Sequence, residues 1–287
     1  MPGSVCWAAA RAVLATEPVL LFGGPYSNLD ATKAVLAEAR QRDIPFENII
    51  CTGDVVAYCA EPQETVDLLR DNNIAVVMGN CEEQLGEGAE DCGCGFEEGT
   101  ACDLLSDQWF RFASAHLDEA ALSWMRNLPR KIEMEIAGFK FAVIHGSVSK
   151  IAQFIFASTD DAVLGAEINL SGCDGIIGGH CGLPFTRQVG AKLWHNPGVI
   201  GMPANDGTPR GWYSVLTPGD NMLEIHHVAL SYDHQSAAQK MQGKALPPGY
   251  ADCLESGLWP SLDVLPDIER SATGHALELS QPVIFPR

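Results

Sequence analysis

The chain has 287 residues and a formal net charge of −19, which results from 18 basic and 37 acidic side chains. With 46% hydrophobic and 19% charged residues, the composition is that of a globular protein and excludes wholesale disorder. The acidic balance argues against coating nucleic acid or an anionic membrane, and the apolar runs are far shorter than the roughly 18 residues that span a bilayer.

The first 18 residues contain an apolar stretch without a basic leader, MPGSVCWAAARAVLATEP, and Arg11 and Glu17 interrupt it. This pattern predicts a protein that is not exported and that works in the cytoplasm. In a reducing compartment, the ten cysteines are expected as free thiols or metal ligands rather than as a disulfide framework.

Strand and helix patterns alternate through the first 80 residues. Short apolar runs at 18–23, 48–51 and 74–78 are typical of buried strands. Helical patterns cover 28–42 and 64–71 between them. This βαβαβ order predicts a parallel sheet.

An acidic segment rich in glycine and cysteine follows at 81–103, CEEQLGEGAEDCGCGFEEGTACD. It is longer than an ordinary connector, which predicts a functional insertion or a mobile loop. Cys92, Cys94 and Cys102 lie within eleven residues of one another in it. Their spacing matches metal sites weakly, so metal or cluster ligands, a redox pair and free thiols are all open interpretations.

The rest of the chain is predicted as helices followed by a second group of strands. Helical patterns cover 104–115 and 118–128, and a hairpin across Ala137-Gly138 joins 131–136 to 139–144. Further strands are predicted at 175–178, 185–189, 212–216 and 223–228.

These patterns predict one core domain over residues 1–230, into which the segment at about 81–103 is inserted. Residues 231–287 carry short helical patterns and many prolines, which predicts a helical appendage packed on the core. No internal repeat of fixed period is present in the sequence.

Polar residues follow several predicted strands: Asp54, Asn80, His145 and His180. Alone, each is typical of a turn, a cap or a hydrogen-bonded core histidine. The carboxyl ends of the strands are where an α/β sheet places its site, so together they offer a carboxylate, an amide oxygen and two imidazoles. Such a mixed oxygen and nitrogen set suits a divalent Mn, Fe, Ni or Zn ion.

The order of the motifs resembles that of the calcineurin-like metallophosphoesterases, within them the small bacterial phosphodiesterase-like branch, over roughly 18–230. The matching segments are TGDVVAYCAEP at 52–62, MGNCEEQL at 78–85, VIHGS at 143–147, GGHCGLP at 178–184 and NPGVIG at 196–201. The resemblance implies an α/β fold, a β-sandwich flanked by helices in four α/β/β/α layers, with a two-metal site that hydrolyses phosphate esters. It assigns Asp54 to the bridging aspartate and Asn80, His145 and His180 to the other ligands of the second metal.

The chain departs from this family at the first metal. The family's Asp-X-His motif is replaced by GPY at 24–26, and the closing Gly-His-X-His motif reads GHCG at 179–182. Gly24, Tyr26 and Gly182 thus stand where three ligands are missing. One metal can still polarise a phosphoryl group and activate a water, with less charge to stabilise the transition state. Alternatively, Tyr26 ligates a ferric ion or simply packs.

Four residues are candidates for the chemistry. Asp54 and His145 are expected to hold the metal that activates the attacking water. Cys81 stands where many relatives have a histidine that acts as general acid, and Cys81 or His195 is expected to assist the leaving group. A thiol replaces imidazole poorly in this role unless its pKa is lowered.

The main hypothesis is a metal-dependent hydrolase of a small anionic phosphate ester, in particular a phosphodiester, that uses one metal ion. A second hypothesis is a metal- or nucleotide-binding regulator without hydrolytic activity. A third is an iron-dependent enzyme with thiolate ligands on the same fold. In a further alternative, Cys92, Cys94 and Cys102 hold a second metal ion.

Overall fold

The computed structural model describes residues 11–94, 99 and 101–287, with side chains for all of these except 11, 12 and 101–104. Within them, two six-stranded sheets pack face to face, and helices cover both outer faces. This is the four-layer α/β/β/α sandwich that the family resemblance implied, and the prediction is confirmed. No helix among the described residues is long and apolar enough to cross a membrane.

Strands and helices alternate along the first third of the chain and again in its middle. In chain order the elements are β1 (Arg11–Ala15), β2 (Val19–Phe22), α1 (Leu29–Gln41), β3 (Ile49–Cys51), α2 (Pro62–Asp71), β4 (Ala75–Val76), α3 (Asn80–Glu87), α4 (Ala101–His116), α5 (Glu119–Arg126), β5 (Ile132–Ile136), β6 (Phe139–Val143), α6 (Asp161–Ser171), β7 (Gly175–Ile177), β8 (Phe185–Val189), β9 (Lys192–Asn196), β10 (Gly211–Gly219), β11 (Met222–Leu230), α7 (His234–Gly243), α8 (Pro248–Ser256), α9 (Asp267–Ser271) and β12 (Val283–Pro286). A single 3₁₀ turn, Phe46–Asn48, precedes β3.

Sheet I has the strand order β12-β11-β10-β2-β3-β4. Its strands β2, β3 and β4 are parallel, as the βαβαβ pattern predicted, while β10, β11 and β12 add antiparallel neighbours. Sheet II has the order β1-β5-β6-β7-β9-β8, and β5 and β6 form the predicted hairpin. Its turn residues Ala137 and Gly138 both have positive φ, 52° and 76°, as a tight two-residue hairpin turn requires.

The alternation of side chains along β2 explains how one strand serves two cores. Val19 and Leu21 point into the layer between the sheets, whereas Leu20 and Phe22 pack on the helix side with Val35 of α1. All four strand residues are fully buried. On the far side, α6 covers sheet II through its buried apolar residues. Two packed sheets with helices outside therefore follow from strands that are apolar on both faces.

Several elements were not predicted from the sequence. Strand β9 inserts between β7 and β8, and helix α3 occupies the start of the predicted 81–103 loop. Residues 11–15 form β1, parallel to β5. The prediction that the protein is not exported rested on residues 1–18, of which 1–10 lie outside the described residues. In the C-terminal region, α7 packs on α8 and α1, and β12 completes the edge of sheet I.

Candidate metal centre

The side chains that follow β3, β4, β6 and β7 meet at one place. Asp54 lies three residues beyond β3, Asn80 begins α3, and His145 and His180 follow β6 and β7. All four are buried, with exposures of 8% or less. The structure therefore brings together the four residues that the sequence proposed as metal ligands, from both sheets of the sandwich.

His145 is at the centre of this cluster. Its Nδ1 lies 2.7 Å from the carbonyl oxygen of Thr52, and because a carbonyl only accepts, Nδ1 carries the proton in this contact. Its Nε2 lies 3.2 Å from Asp54 Oδ2, 3.1 Å from Asn80 Oδ1 and 2.9 Å from His180 Nδ1. The ligand atoms of Asp54, His145 and His180 all lie within 4.8 Å of one another. Lone pairs that converge in this way fit a cation of the Mn, Fe, Ni or Zn type.

The orientation of the Asn80 amide is set by the cysteine-rich segment. Its Nδ2 donates to the carbonyl oxygen of Cys92 at 2.9 Å and lies 3.3 Å from Cys94 Sγ. The amide oxygen is therefore the atom that faces His145. Part of the segment predicted as an insertion thus packs directly against a candidate ligand, and Cys92 and Cys94 are themselves buried there.

Glu82 holds the backbone around the cluster and was not singled out by the sequence. Its carboxylate accepts N–H bonds from Asp54 at 2.8 Å, Gly79 at 2.9 Å and Val56 at 3.2 Å. Asp54 itself has a φ of 56°, a left-handed conformation that is strained for aspartate and typical of functional sites. Burial, together with the charge of Asp54, raises the pKa of Glu82 to about 7.

The pKa values of the two histidines shift in opposite directions. Burial disfavours the charged form of His145, but attraction to the Asp54 carboxylate and the hydrogen bond to it have the larger combined effect, so the pKa of His145 is raised. Burial, and then the charge of His145, lowers the pKa of His180 to about 3. Burial likewise opposes the charge on Asp54, yet His145 holds the pKa of Asp54 below its ordinary value. An ionised carboxylate and a neutral imidazole are the forms that bind metal ions.

The space beside Gly24 is filled by the ring of Tyr26. A Cβ atom at Gly24 would lie 2.5 Å from a ring carbon of Tyr26, and one at Gly182 would lie 3.7 Å from the Tyr26 hydroxyl oxygen. Gly24 also has a φ of 44°, in the left-handed region. Burial, and then Asp54, raises the pKa of Tyr26, so the phenol keeps its proton. The three substitutions in the first-metal motifs therefore form one packed unit.

The cysteines near the cluster differ in state. The backbone N–H of Cys81 donates to Asp54 Oδ1 at 3.3 Å, and burial, followed by Asp54, raises the pKa of its thiol. Cys92 and Cys94 are bonded to each other as a disulfide. In that form they are not thiolate ligands, and the Cys102 side chain lies outside the described residues. A second metal ion held by these three cysteines stays a prediction.

His195 does not face the metal centre. It is fully buried on β9, where its Nδ1 lies 2.8 Å from Thr186 Oγ1 and its ring centroid lies 4.9 Å from that of His227 in the opposite sheet. Its ring is not among the described residues that line the cavity beside the cluster. Its role at the leaving group, expected because it precedes the NPG motif, stays a prediction that this position does not favour.

A cavity opens beside the cluster and was not foreseen from the sequence. Tyr26, Asp54 and His180 form its inner wall, and residues between Tyr250 and Val264 form much of the outer one. These outer residues are far from the motifs in sequence and carry no spacing pattern of their own. Only the folded chain brings them to the site.

Comparison with known proteins identifies the family. Residues 26–220 match the family described as the calcineurin-like phosphoesterase superfamily domain. The chain is 30% identical over 240 residues to the uncharacterized protein MJ0912 of Methanocaldococcus jannaschii, covering 77% of this chain and 90% of that protein. The chain therefore belongs to the calcineurin-like phosphoesterase superfamily. This family is metal-dependent, in agreement with the convergence of Asp54, His145 and His180.

Two solved structures share the fold. A metallophosphoesterase from Sphaerobacter thermophilus superposes with a TM-score of 0.65 at 20% identity, over 85% of this chain and 100% of that one. The hypothetical protein PH1004 from Pyrococcus horikoshii superposes with a TM-score of 0.71 at 15% identity, over 84% and 99% of the two chains. At these identities the superpositions establish the architecture alone.

Proposed function

We propose that this protein hydrolyses a small phosphodiester with the help of one metal ion held by Asp54, Asn80, His145 and His180. The observation that carries the proposal is the convergence of Asp54, Asn80 and His180 on His145 Nε2, in a chain of a phosphoesterase family. When bound, the metal ion would polarise a phosphoryl oxygen and lower the pKa of water at the site.

A single metal ion is supported by the packing of Tyr26. Its ring lies against Gly24, and its hydroxyl approaches Gly182, so it takes up space beside two of the positions that the family resemblance assigns to the first metal. With its proton retained, the phenol can donate a hydrogen bond to a phosphoryl oxygen from this position. A neutral donor there replaces part of the charge stabilisation that a second cation supplies.

A phosphodiester fits the charge of the site better than a monoester does. At neutral pH a diester carries one negative charge and a monoester carries up to about two. The cavity lining contains Asp54 but no Lys or Arg among the described residues, and the chain has a net charge of −19. Since extra negative charge would be repelled here, the less charged substrate class is favoured.

The chain's own residues have distinct roles in this proposal. Thr52 fixes the proton of His145 on Nδ1, the Cys92 carbonyl orients the Asn80 amide, and Glu82 holds the Asp54 loop. Cys81 lies beside Asp54 and its thiol keeps its proton. In this proposal the thiol donates that proton to the leaving oxygen. Its raised pKa makes this donation weak, so the main barrier reduction is assigned to the metal centre.

The test uses hydrolysis of bis(p-nitrophenyl) phosphate by protein purified without chelators and loaded separately with Mn²⁺, Fe²⁺, Ni²⁺ or Zn²⁺. Asp54→Asn and His145→Ala are expected to lower kcat/KM at least about 100-fold. His226→Ala, a half-exposed histidine bonded to Glu224, is the matched control and is expected to leave turnover unchanged. Unchanged turnover in both site variants would contradict the proposal. Metal binding without turnover of any ester would instead assign a non-hydrolytic binding function.

A further inference from the structure

The cavity beside the metal centre has an unusual lining for a site that receives a phosphate ester. The space in it that water-sized molecules can reach is about 90 Å³. Apart from Asp54 and His180 at its inner end, the described lining residues are mostly aromatic or apolar, among them Tyr58, Phe154 and Trp259. The metal centre therefore opens onto an apolar chamber rather than onto a charged groove.

The aromatic side chains of the lining form a connected set. The ring of Tyr58 lies 4.8 Å from Tyr26 and 4.6 Å from Tyr250, measured between centroids. Phe154 packs on His180 at 4.3 Å, which places an aromatic face directly beside a proposed ligand. These separations are those of favourable aromatic pairs, so the rings are held in place before any ligand enters.

Trp259 at the outer wall is held by two hydrogen bonds. Its indole Nε1–H donates to the carbonyl oxygen of Pro203 at 2.7 Å, and its backbone N–H donates to Asn205 Oδ1 at 2.9 Å. The side chain is half-buried, so a ligand in the cavity can contact it. Because the Trp259 ring is already fixed, little side-chain entropy is lost when a flat ligand packs against it.

The charges around the cavity do not supply a second phosphate site. No Lys or Arg occurs among the described lining residues. The two arginines near the closing motifs are engaged elsewhere, Arg187 with Asp161 and Arg210 with Asp206. A second phosphate on the substrate would thus enter an apolar chamber without a cation to pair with, which is costly.

We propose that this cavity binds the organic group of the substrate and that this group is an uncharged aromatic ring, so that the substrate is an aryl- or arylmethyl-phosphate ester with a single phosphate. The proposal rests on the hydrolytic function proposed above and names its substrate class. The family match ends at residue 220, whereas Tyr250, Trp259 and Val264 lie beyond it. The aromatic lining therefore combines side chains of the family-matched region with side chains of the C-terminal region of this chain.

The test uses the monomethyl esters of benzyl-, methyl- and octylphosphonate, which carry one negative charge as a phosphodiester does and whose C–P bond is not hydrolysed. Their binding to the Mn²⁺-loaded protein is measured by titration calorimetry, and each ester is named below by its phosphonate. Benzylphosphonate is expected to bind at least about tenfold more tightly than methylphosphonate, because the ring gains the aromatic contacts. Trp259→Ala and, separately, Tyr58→Leu are expected to reduce this ratio to below about threefold. Leu258→Ala removes the exposed neighbour of Trp259 and is expected to keep the wild-type ratio.

Each alternative result has a defined meaning. Equal affinities for benzyl- and methylphosphonate in the wild type, or an unchanged ratio in both aromatic variants, would overturn the aromatic site. Octylphosphonate binding as tightly as benzylphosphonate would overturn the aromatic assignment in favour of an aliphatic group. A benzyl preference without turnover of any ester would contradict the hydrolytic function and leave the aryl site in place.

Discussion

Glu82 shows how much of the metal centre depends on a residue that binds no ligand. Its carboxylate is fully buried and accepts three backbone N–H groups from two separate loops. One of these belongs to Asp54, whose left-handed backbone has to be held by its surroundings. Glu82 lies on α3, which follows β4. Through its hydrogen bond to the Asp54 backbone, this helix therefore fixes the position of a candidate metal ligand.

Removing this carboxylate is expected to be severe. Glu82→Ala leaves three buried N–H donors without a partner, and we expect the free energy of unfolding to fall by about 3–5 kcal/mol. Glu87→Ala, an exposed position on the same helix, is the control and is expected to change it by less than about 0.5 kcal/mol. Urea unfolding of both variants measures the difference, and equal losses in the two would refute this role.

His227 gives the protein a specific acid sensitivity away from the metal centre. It is 8% exposed, its Nε2 lies 2.9 Å from Thr186 Oγ1, and His195 is the other titratable group that faces it. Burial lowers the pKa of His227 to about 4, against an ordinary value of about 6.5. Because the unfolded chain takes up the proton first, stability is present above the ordinary pKa and is lost as the pH falls towards about 4.

We expect this histidine to account for about 3 kcal/mol of the stability lost between pH 7 and pH 4. His227→Gln cannot titrate and is expected to lose correspondingly less over that range. The adjacent His226→Gln variant, at a half-exposed position, is the matched control and is expected to follow the wild type. Urea unfolding at several pH values decides the matter. Parallel pH profiles for wild type and His227→Gln would show that the buried ring is not responsible.

At the level of elements, β12 ties the end of the chain to sheet I. It pairs with β11 through Ile225↔Val283 and its neighbours, and Phe285 enters the core between the sheets with 2% exposure. Its neighbour Ile284 points outward and is 45% exposed. The C-terminal strand therefore contributes to the central core rather than only lying on the surface.

The two neighbouring positions predict opposite outcomes. Phe285→Ala is expected to lower the free energy of unfolding by about 3–5 kcal/mol, because it leaves a cavity between the sheets. Ile284→Ala, which removes exposed surface, is expected to cost less than about 1 kcal/mol. Chemical denaturation of both variants is the measurement. Similar values for the two would mean that β12 is not docked as described.

The sequence predicted elements well where the signal was local. The runs that became β2 and β3 are short, apolar and bounded by turn residues, and the Ala137-Gly138 turn identifies the β5–β6 hairpin. Strand β9 was missed because its five residues, KLWHN, do not alternate cleanly. Strand β12 was missed because it is only four residues long and pairs with β11, from which three helices separate it in the chain.

The candidate site was predictable for a similar reason. Asp54, His145 and His180 each follow a recognisable strand, so their convergence follows from the topology of the sheets. Glu82 and Trp259 were not singled out, because their importance rests on hydrogen bonds and packing between distant segments. His195 precedes the NPG motif in sequence, but the structure pairs its position on β9 with Ile177 of β7, a contact that closeness to a motif does not predict.

For the whole molecule, the net charge of −19 explains why a cation is central to the proposed function. A surface with 37 acidic and 18 basic side chains attracts divalent cations and repels anions at long range. An anionic ester can be held at the cluster only where a bound cation inverts this field locally. Metal binding and substrate binding are therefore expected to be inseparable in this protein.

The most direct test of the account is the metal content per chain, measured by mass spectrometry on protein purified anaerobically without chelators. We predict about one transition-metal ion per chain, lost in Asp54→Ala and retained in Asp43→Ala, an exposed acidic control. Two or more ions per chain, or an ion that remains when Asp54 is replaced, would contradict a single centre built on Asp54, Asn80, His145 and His180.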